Sequence, residues 1–175
     1  MWQRARREAA RAFLSRSDTG IWRATGQPLT RFGTGIERKQ DSMNRAATLW
    51  QKCGLVQPWN NPHLDIQRKL KVNPELFLVG VAEGKIMAAA MGGYEGHRGW
   101  VNYLAVDPAY QKNGYGRQLM EEIEKRLLAS GCPKVNLQVR TGNDSALVFY
   151  ERIGYKNDSV VSLGKRLLPD SEKQE

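Results

Sequence analysis

A chain of 175 residues, 41% hydrophobic and 26% charged, has the length and composition of one soluble globular domain with a sizeable core. Its longest apolar run, around Ile86–Met91, is far too short to cross a bilayer as a helix. The net charge of +9 invites a nucleic-acid reading, but its location weakens it: Arg4, Arg6, Arg7, Arg11, Arg16, Arg23, Arg31, Arg38, Lys39 and Arg45 face only Glu8, Asp18, Glu37 and Asp41 in the first 45 residues.

The basic excess therefore belongs mostly to a leader. Its start, "MWQRARREAARAFLSRS", suits an amphipathic helix with Trp2, Ala5, Ala9 and Phe13 on one side. It runs into "DTGIWRATGQPLTRFGTG", which has little periodicity. The favoured expectation is a poorly ordered extension over residues 1–34, ahead of a domain over 35–170 and a tail over 171–175. An organelle signal and a nucleic-acid arm are the other readings of an arginine-rich, acid-poor start.

Pattern sharpens at residue 43. "MNRAATLWQKCG" spaces Ala46, Ala47, Leu49, Trp50 and Cys53 as one helix face, with Gly54 as its stop. "NPHLDIQRKLKVNP" predicts a second helix with Pro62 in its first turn, ended by Asn73-Pro74. Its run Arg68–Lys71 reads as a solvated face. The stretch from Leu76 to Met91 predicts a hairpin turning at Glu83-Gly84, and "GWVNYLAV" a third strand.

After Asp107-Pro108 comes "YQKNGYGRQL", a glycine-rich, basic approach to a helix whose apolar face holds Leu119, Met120, Ile123, Leu127 and Leu128. Such a helix start either binds an anion on its unsatisfied N–H groups or only turns the chain. "KVNLQV" then predicts a strand, "NDSALVFYERIG" a helix between Asn143 and Gly154, and "DSVVSLGKRL" a last strand. The order implies an α/β fold with a mixed sheet, antiparallel first and parallel at its β-α-β crossover. The glycine loop sits at the carboxyl end of the strand that opens that crossover, where open sheets collect ligands. Cys53 and Cys132 fit no metal spacing and His63 and His97 are too few for a histidine-rich site, so no metal and a reduced, cytoplasmic setting are expected.

Three phosphate-binding patterns can be compared. A Walker A loop requires lysine then serine or threonine after its last glycine, and here Arg117 and Gln118 follow Gly116. The dinucleotide fingerprint requires a third glycine where Leu119 stands. Gln111, Gly114 and Gly116 instead meet the pattern Gln/Arg-x-x-Gly-x-Gly/Ala. On this loop, "LQVRTGND", "ALVFYERIGY" and their order, residues 43–168 resemble the GNAT superfamily of acetyl-CoA-dependent N-acetyltransferases. The second half looks like the bacterial ribosomal-protein-alanine acetyltransferases. "GLVQPWNNPHLDIQRK" and "MGGYEGHRGWVNYLAV" are closer to the bacterial YpeA-like subgroup.

The resemblance implies a GNAT fold with two strands splayed at the cofactor site and acetyl transfer to a primary amine of a small molecule or protein. Acetyl-CoA would lay its diphosphate on Gln111, Lys112, Asn113, Gly114, Tyr115, Gly116 and Arg117, and its pantetheine arm along Leu104, Ala105 and Val106, with Asn143 and Tyr150 beside it. Tyr150 is implied as general acid. A glutamate that serves as base in the ribosomal-protein enzymes is replaced by Gln138, so either the base lies elsewhere, with Glu95 and His97 as candidates near the acceptor end, or water and buffer suffice for an amine of lower pKa. Similar proteins are often homodimers. Three other readings stay open: a catalytically weak GNAT that senses acyl-CoA, a dinucleotide-dependent oxidoreductase, and a nucleic-acid module using the leader.

Overall fold

The computed structural model describes residues 41–82 and 85–168 in full, together with the backbone of 23–24, 27–31 and 36–40. The expected amphipathic start around Trp2–Phe13 and the turn at Glu83-Gly84 lie outside the described residues.

Two short strands, β1 (Arg23–Ala24) and β2 (Gln27–Arg31), lead into helix α1 (Ile36–Lys52). Met43, Ala46, Ala47, Leu49 and Trp50 recur on one face of α1, and all five are buried. Gly54, at φ +68°, ends the helix, and Leu55 N–H reaches back to the Trp50 carbonyl at 2.9 Å. Helix α2 (Pro62–Val72) starts where the Asn61 side chain accepts the amides of His63 and Leu64 at 3.0 and 3.3 Å. A single 3₁₀ turn, Pro74–Leu76, delivers the chain to β3 (Phe77–Ala82), β4 (Lys85–Tyr94) and β5 (Gly99–Val106). The crossover is helix α3 (Tyr115–Ala129) followed by β6 (Val135–Leu137), and helix α4 (Asp144–Arg152) comes last.

The strands lie in the order β1-β2-β3-β4-β5-β6, antiparallel throughout except for the parallel pair β5–β6. This is the mixed sheet that the element order implies. β2 pairs with β3, from Leu29 opposite Gly80 to Arg31 opposite Leu78. It falls inside residues 1–34, where the sequence reading placed no strand: a five-residue segment containing Pro28 carries too little alternation to be recognised.

One expected element is not there. "DSVVSLGKRL" forms no strand, and Val160, Val161, Leu163, Leu167 and Leu168 are 71–92% exposed. A strand needs a partner as well as β-branched residues, and β6 stops at Leu137 instead of reaching Val139. The segment is tied to the body by side chains: Lys134 to Asp158, Gln138 to Ser162, and Arg166 to Asn60.

The sheet separates two cores. On one face α1 and α2 pack Trp50, Ile66, Phe77, Ala89, Met91 and Ala105 together. On the other, α3 inserts Leu119, Met120, Ile123 and Leu127 against Leu76, Ala88, Ala90 and Val101, with α4 at the margin. Both depend on close approach. A Cβ on Gly92 would stand 3.0 Å from Ile123, and one on Gly99 only 2.9 Å from both Cys132 and Leu127.

Candidate active site

The site starts at a fault in β5. Met91 faces Asn102 and Ala89 faces Ala105, so β5 carries one residue more than β4 across this interval. The extra residue falls at Tyr103–Leu104, and Tyr103 takes φ +53°, a conformation that costs a bulky side chain energy. Such a bulge bends the strand and increases its twist. Its ring offsets the strain. It stacks on Trp50 at 4.3 Å and 15°, while its hydroxyl donates to Asp65 at 2.7 Å and accepts from Asn60 at 3.1 Å.

β6 accompanies β5 only over Gly99–Val101. Beyond the bulge, β5 continues through Leu104, Ala105 and Val106 with β4 on one side and no strand on the other among the described residues. The two strands therefore part, as the resemblance implies, and leave one side of β5 without a strand partner among the described residues.

The glycine loop follows directly. The 3₁₀ turn Pro108–Tyr110 is capped by Asp107, which accepts the Ala109 amide at 3.0 Å and pairs with Lys52 at 2.8 Å. Lys52 holds the Asp107 carboxyl below its ordinary range, with the Ala109 amide adding to the effect. Gln111 donates to the Val106 carbonyl at 3.0 Å, and the Asn113 amide donates to the carbonyls of Tyr110 and Gln111 at 3.2 and 3.1 Å. Both side chains shape the loop, so their part in ligand binding is to set its backbone.

Lys112 and Gly114 adopt φ +64° and +83°, and Gly114 is the N-cap of α3. The first helical bond runs from Gln118 N–H to the Gly114 carbonyl at 3.1 Å. The amides of Tyr115, Gly116 and Arg117 thus precede any intrahelical bond and sit at the positive end of the helix dipole. Lys112 and Arg117 are exposed beside them. Gly116 meets a separate need: its Cβ would lie 3.2 Å from the Phe149 ring, where α4 closes on the loop.

Tyr150 sits next to that contact. Its ring packs edge-on against Phe149 and Tyr155 at 5.1 and 5.7 Å, and burial pushes its phenol up to about 12. Tyr155 donates to Glu124 at 2.8 Å, and burial followed by that bond raises its phenol too. The Tyr150 hydroxyl has no such partner among the described residues. Asn143, the other α4 candidate, uses its side-chain oxygen to accept the Ala146 amide at 3.2 Å, so it serves as the helix cap.

Glu95 and His97 are not brought to this place. They occupy the β4–β5 connection, at the start of β5, whereas the loop leaves its end. Both Glu95 oxygens accept backbone amides, from His97 at 2.6 Å and Arg98 at 2.8 Å, and the first of these bonds leads in holding its carboxyl below the ordinary range. A carboxylate so engaged is a turn residue and a poor proton acceptor. Gln138 is exposed and donates to Ser162.

Three side chains were missed by the sequence reading. Tyr103 looked like an ordinary strand residue, since nothing in its type announces a positive φ. Asp65 looked like a first-turn helix carboxylate. Lys69 belonged to a run read as solvated, yet it is half-buried, 3.8 Å from where a Gly93 Cβ would stand, and burial pulls its amine down to about 8 against the opposing effect of Glu75. Among the described residues no group of three or more His, Cys, Asp or Glu could hold a metal, and no helix is long and apolar enough to cross a membrane.

A strand that parts from its neighbour at a bulge, beside a helix start with a left-handed glycine, matches a known family. A sequence model described as the acetyltransferase (GNAT) family fits residues 43–155. The chain belongs to the GNAT acetyltransferase family. An acetyltransferase from Sodalis glossinidius is 47% identical over 135 residues, covering 77% of this chain and 95% of the relative. Among solved structures, an aminoglycoside acetyltransferase from an uncultured soil metagenomic sample, in complex with trehalose, superposes with TM-score 0.59 at 22% identity, over 75% of this chain and 92% of its own. AAC(6')-Iy, solved with the bisubstrate analogue CoA-S-monomethyl-acetylneamine, gives 0.59 at 14% identity, over 73% of this chain and 92% of its own. At those identities the two structures speak for the shared fold alone. Acetyl transfer is the activity of the family to which this GNAT acetyltransferase belongs.

Proposed function

We propose that the protein transfers an acetyl group from acetyl-CoA to a primary amine of a small molecule or protein by direct attack in a ternary complex. The observation that carries this reading is the bulge at Tyr103, which frees one side of β5 immediately before a loop of unpaired helix-start amides. The complex of AAC(6')-Iy with a CoA-based bisubstrate analogue supports it by analogy of fold.

Acetyl-CoA supplies an activated acyl group as a thioester. The chain's part begins with the amides from Lys112 to Arg117, which hold the diphosphate, while Lys112 and Arg117 add positive charge. The free edge of Leu104–Val106 lays the pantetheine arm against β5 as an added strand would lie. A β5 amide near the bulge donates to the carbonyl oxygen as it gains negative charge. Tyr150, its proton secured by a phenol at about 12, donates a hydrogen bond to the departing sulfur. A thiolate of ordinary pKa near ~8.5 is a weaker base than that phenolate, so Tyr150 steadies the leaving group more than it surrenders a proton, and the thiolate takes its proton from water once the C–S bond is broken.

Glu95 is engaged by two backbone amides and Gln138 cannot take a proton, so on this reading the attacking amine passes its proton to water. That assigns the reaction to amines already neutral in part at working pH. Residues 35–170 form the transferase domain on this reading, with 1–34 an extension, and the two free cysteines accord with a reducing cytoplasm. Release of CoA thiol with a panel of amines tests the activity. Calorimetric binding of acetyl-CoA without turnover of any amine would favour an acyl-CoA sensor instead, and no binding by folded protein would overturn the proposal.

A further inference from the structure

Helix α4 carries Tyr150, yet none of its nine residues is fully buried, so little of its hold on the body comes from core packing. Three contacts fix it instead. Phe149 reaches the first turn of α3, where a Cβ on Gly116 would stand 3.2 Å from its ring. Past the helix end, Gly154 takes φ +97° and turns the chain back, so that the Tyr155 amide donates to the Tyr150 carbonyl at 3.0 Å. The third contact is the side chain of Tyr155, whose hydroxyl donates to the half-buried Glu124 of α3 at 2.8 Å.

The two points reached on α3, Gly116 and Glu124, stand about 12 Å apart along the helix at ~1.5 Å per residue. In the chain Tyr150 lies between the two residues that reach them, and both pack edge-on against its ring, Phe149 at 5.1 Å and Tyr155 at 5.7 Å. One contact alone lets a short helix pivot; a second, two turns further along the same partner, removes that freedom. A phenylalanine at 155 would fill the same space, so what the hydroxyl adds is the tie to α3. Tyr155 commits its own proton to Glu124, and burial followed by that bond raises its phenol, so it acts through Tyr150 and not on a substrate.

We infer that Tyr155 and Glu124 form a latch that positions Tyr150 against α3, which makes both of them positioning residues for acetyl transfer. The inference rests on the transferase reading above and adds two residues to it. On that reading the first amides of α3 hold the diphosphate, and the thioester sulfur lies at a distance set by the pantetheine arm. A donor referred to the same helix keeps its place relative to that sulfur when the helix shifts; a donor hung from another element does not.

The experiment uses the full chain and compares kcat with KM for acetyl-CoA. Tyr155→Phe keeps ring and backbone and loses only the tie. Its kcat is expected to fall about tenfold with KM for acetyl-CoA within about twofold of wild type, the scale on which a small misplacement of a reacting group acts. Glu124→Ala should behave alike, and Glu124→Gln, which keeps an acceptor, should recover most of the loss. With Tyr150→Phe already in place, Tyr155→Phe should cost kcat nothing further, because residues that act as a unit are not additive. An unchanged kcat in Tyr155→Phe, or the same tenfold loss once Tyr150 is gone, would overturn the inference while leaving amine acetylation intact. If no amine is turned over, the transferase reading fails by itself and hydrogen exchange decides. Amides of Asp144–Arg152 that exchange faster in Tyr155→Phe, with those of β3–β5 unmoved, sustain the latch; unmoved rates throughout remove it.

Discussion

The two ends of β5 are built to opposite rules. Over Gly99–Val101 the strand is paired on both sides, and its first glycine is pressed against Cys132 and Leu127 so tightly that no Cβ fits. Over Asn102–Val106 it keeps β4 alone, bulges, and ends in a loop held by Gln111, Asn113 and Asp107. The contrast teaches that one strand can serve as scaffold and as site if a single extra residue separates the two. The paired end cannot bind a ligand, since its backbone is satisfied. The open end contributes less to stability, since one side of its backbone has no strand partner among the described residues.

Substitutions at the two ends should therefore separate function from stability. The largest effect is expected at the open end: Tyr150→Phe should lower kcat by roughly 10²–10³ with little change in Tm, the scale of one hydrogen-bond donor aimed at charge that develops in the transition state. Equal turnover by both forms would remove Tyr150 from the chemistry. At the paired end, Gly99→Ala should destabilise by about 1–3 kcal/mol through overpacking, read as a lowered denaturant midpoint, while the surviving native fraction binds acetyl-CoA as before. Loss of binding without loss of stability there would break the comparison.

Smaller effects sharpen it. Gly114→Ala forces a side chain into φ +83°, although its Cβ would meet nothing closer than Gln118 at 3.8 Å. It should cost about 1–2 kcal/mol of backbone strain and weaken acetyl-CoA affinity in calorimetry, because the loop can relieve that strain only by moving its amides. The smallest effect is a pH slope. Lys69 titrates at about 8 when folded against an ordinary 10.5, so between those values the unfolded chain binds more protons and the contribution of Lys69 to stability rises with pH. Lys69→Met should flatten that rise in urea titrations between pH 8 and pH 10; an unchanged slope would show that Lys69 is better solvated than its position implies. Tyr150 adds a kinetic counterpart: its phenol at about 12 imposes no falling limb on the kcat profile below roughly pH 11.

Much of the architecture was legible because it rests on periodicity. Buried faces such as Met43–Trp50 and Leu119–Leu127 announce themselves, and so do stops such as Gly54. The loop was legible because glycine is the residue that a left-handed helix start requires. What escaped depends on partners distant in sequence. A tyrosine at φ +53° is held there by Trp50, Asn60 and Asp65, and no local pattern encodes that agreement. Lys69 is drawn inward by a glycine on β4 that leaves room above the sheet. The segment 158–167 misled for the converse reason: its valines and leucines are a local signal, but pairing is not local. Glu95 and His97 were candidates for lying between strands near the expected acceptor end, and the direction of β5 puts them at the opposite end of that strand from the loop.

The ring of Tyr103 has a consequence for how such an enzyme changes its substrate. Because the kink in the backbone is braced from the far side by Asn60 and Asp65, residues of the first interhelical loop and the second helix shape the proposed reaction centre. On the proposed reading, drift in that one stretch retunes which amine is accepted while the acyl donor is held unchanged.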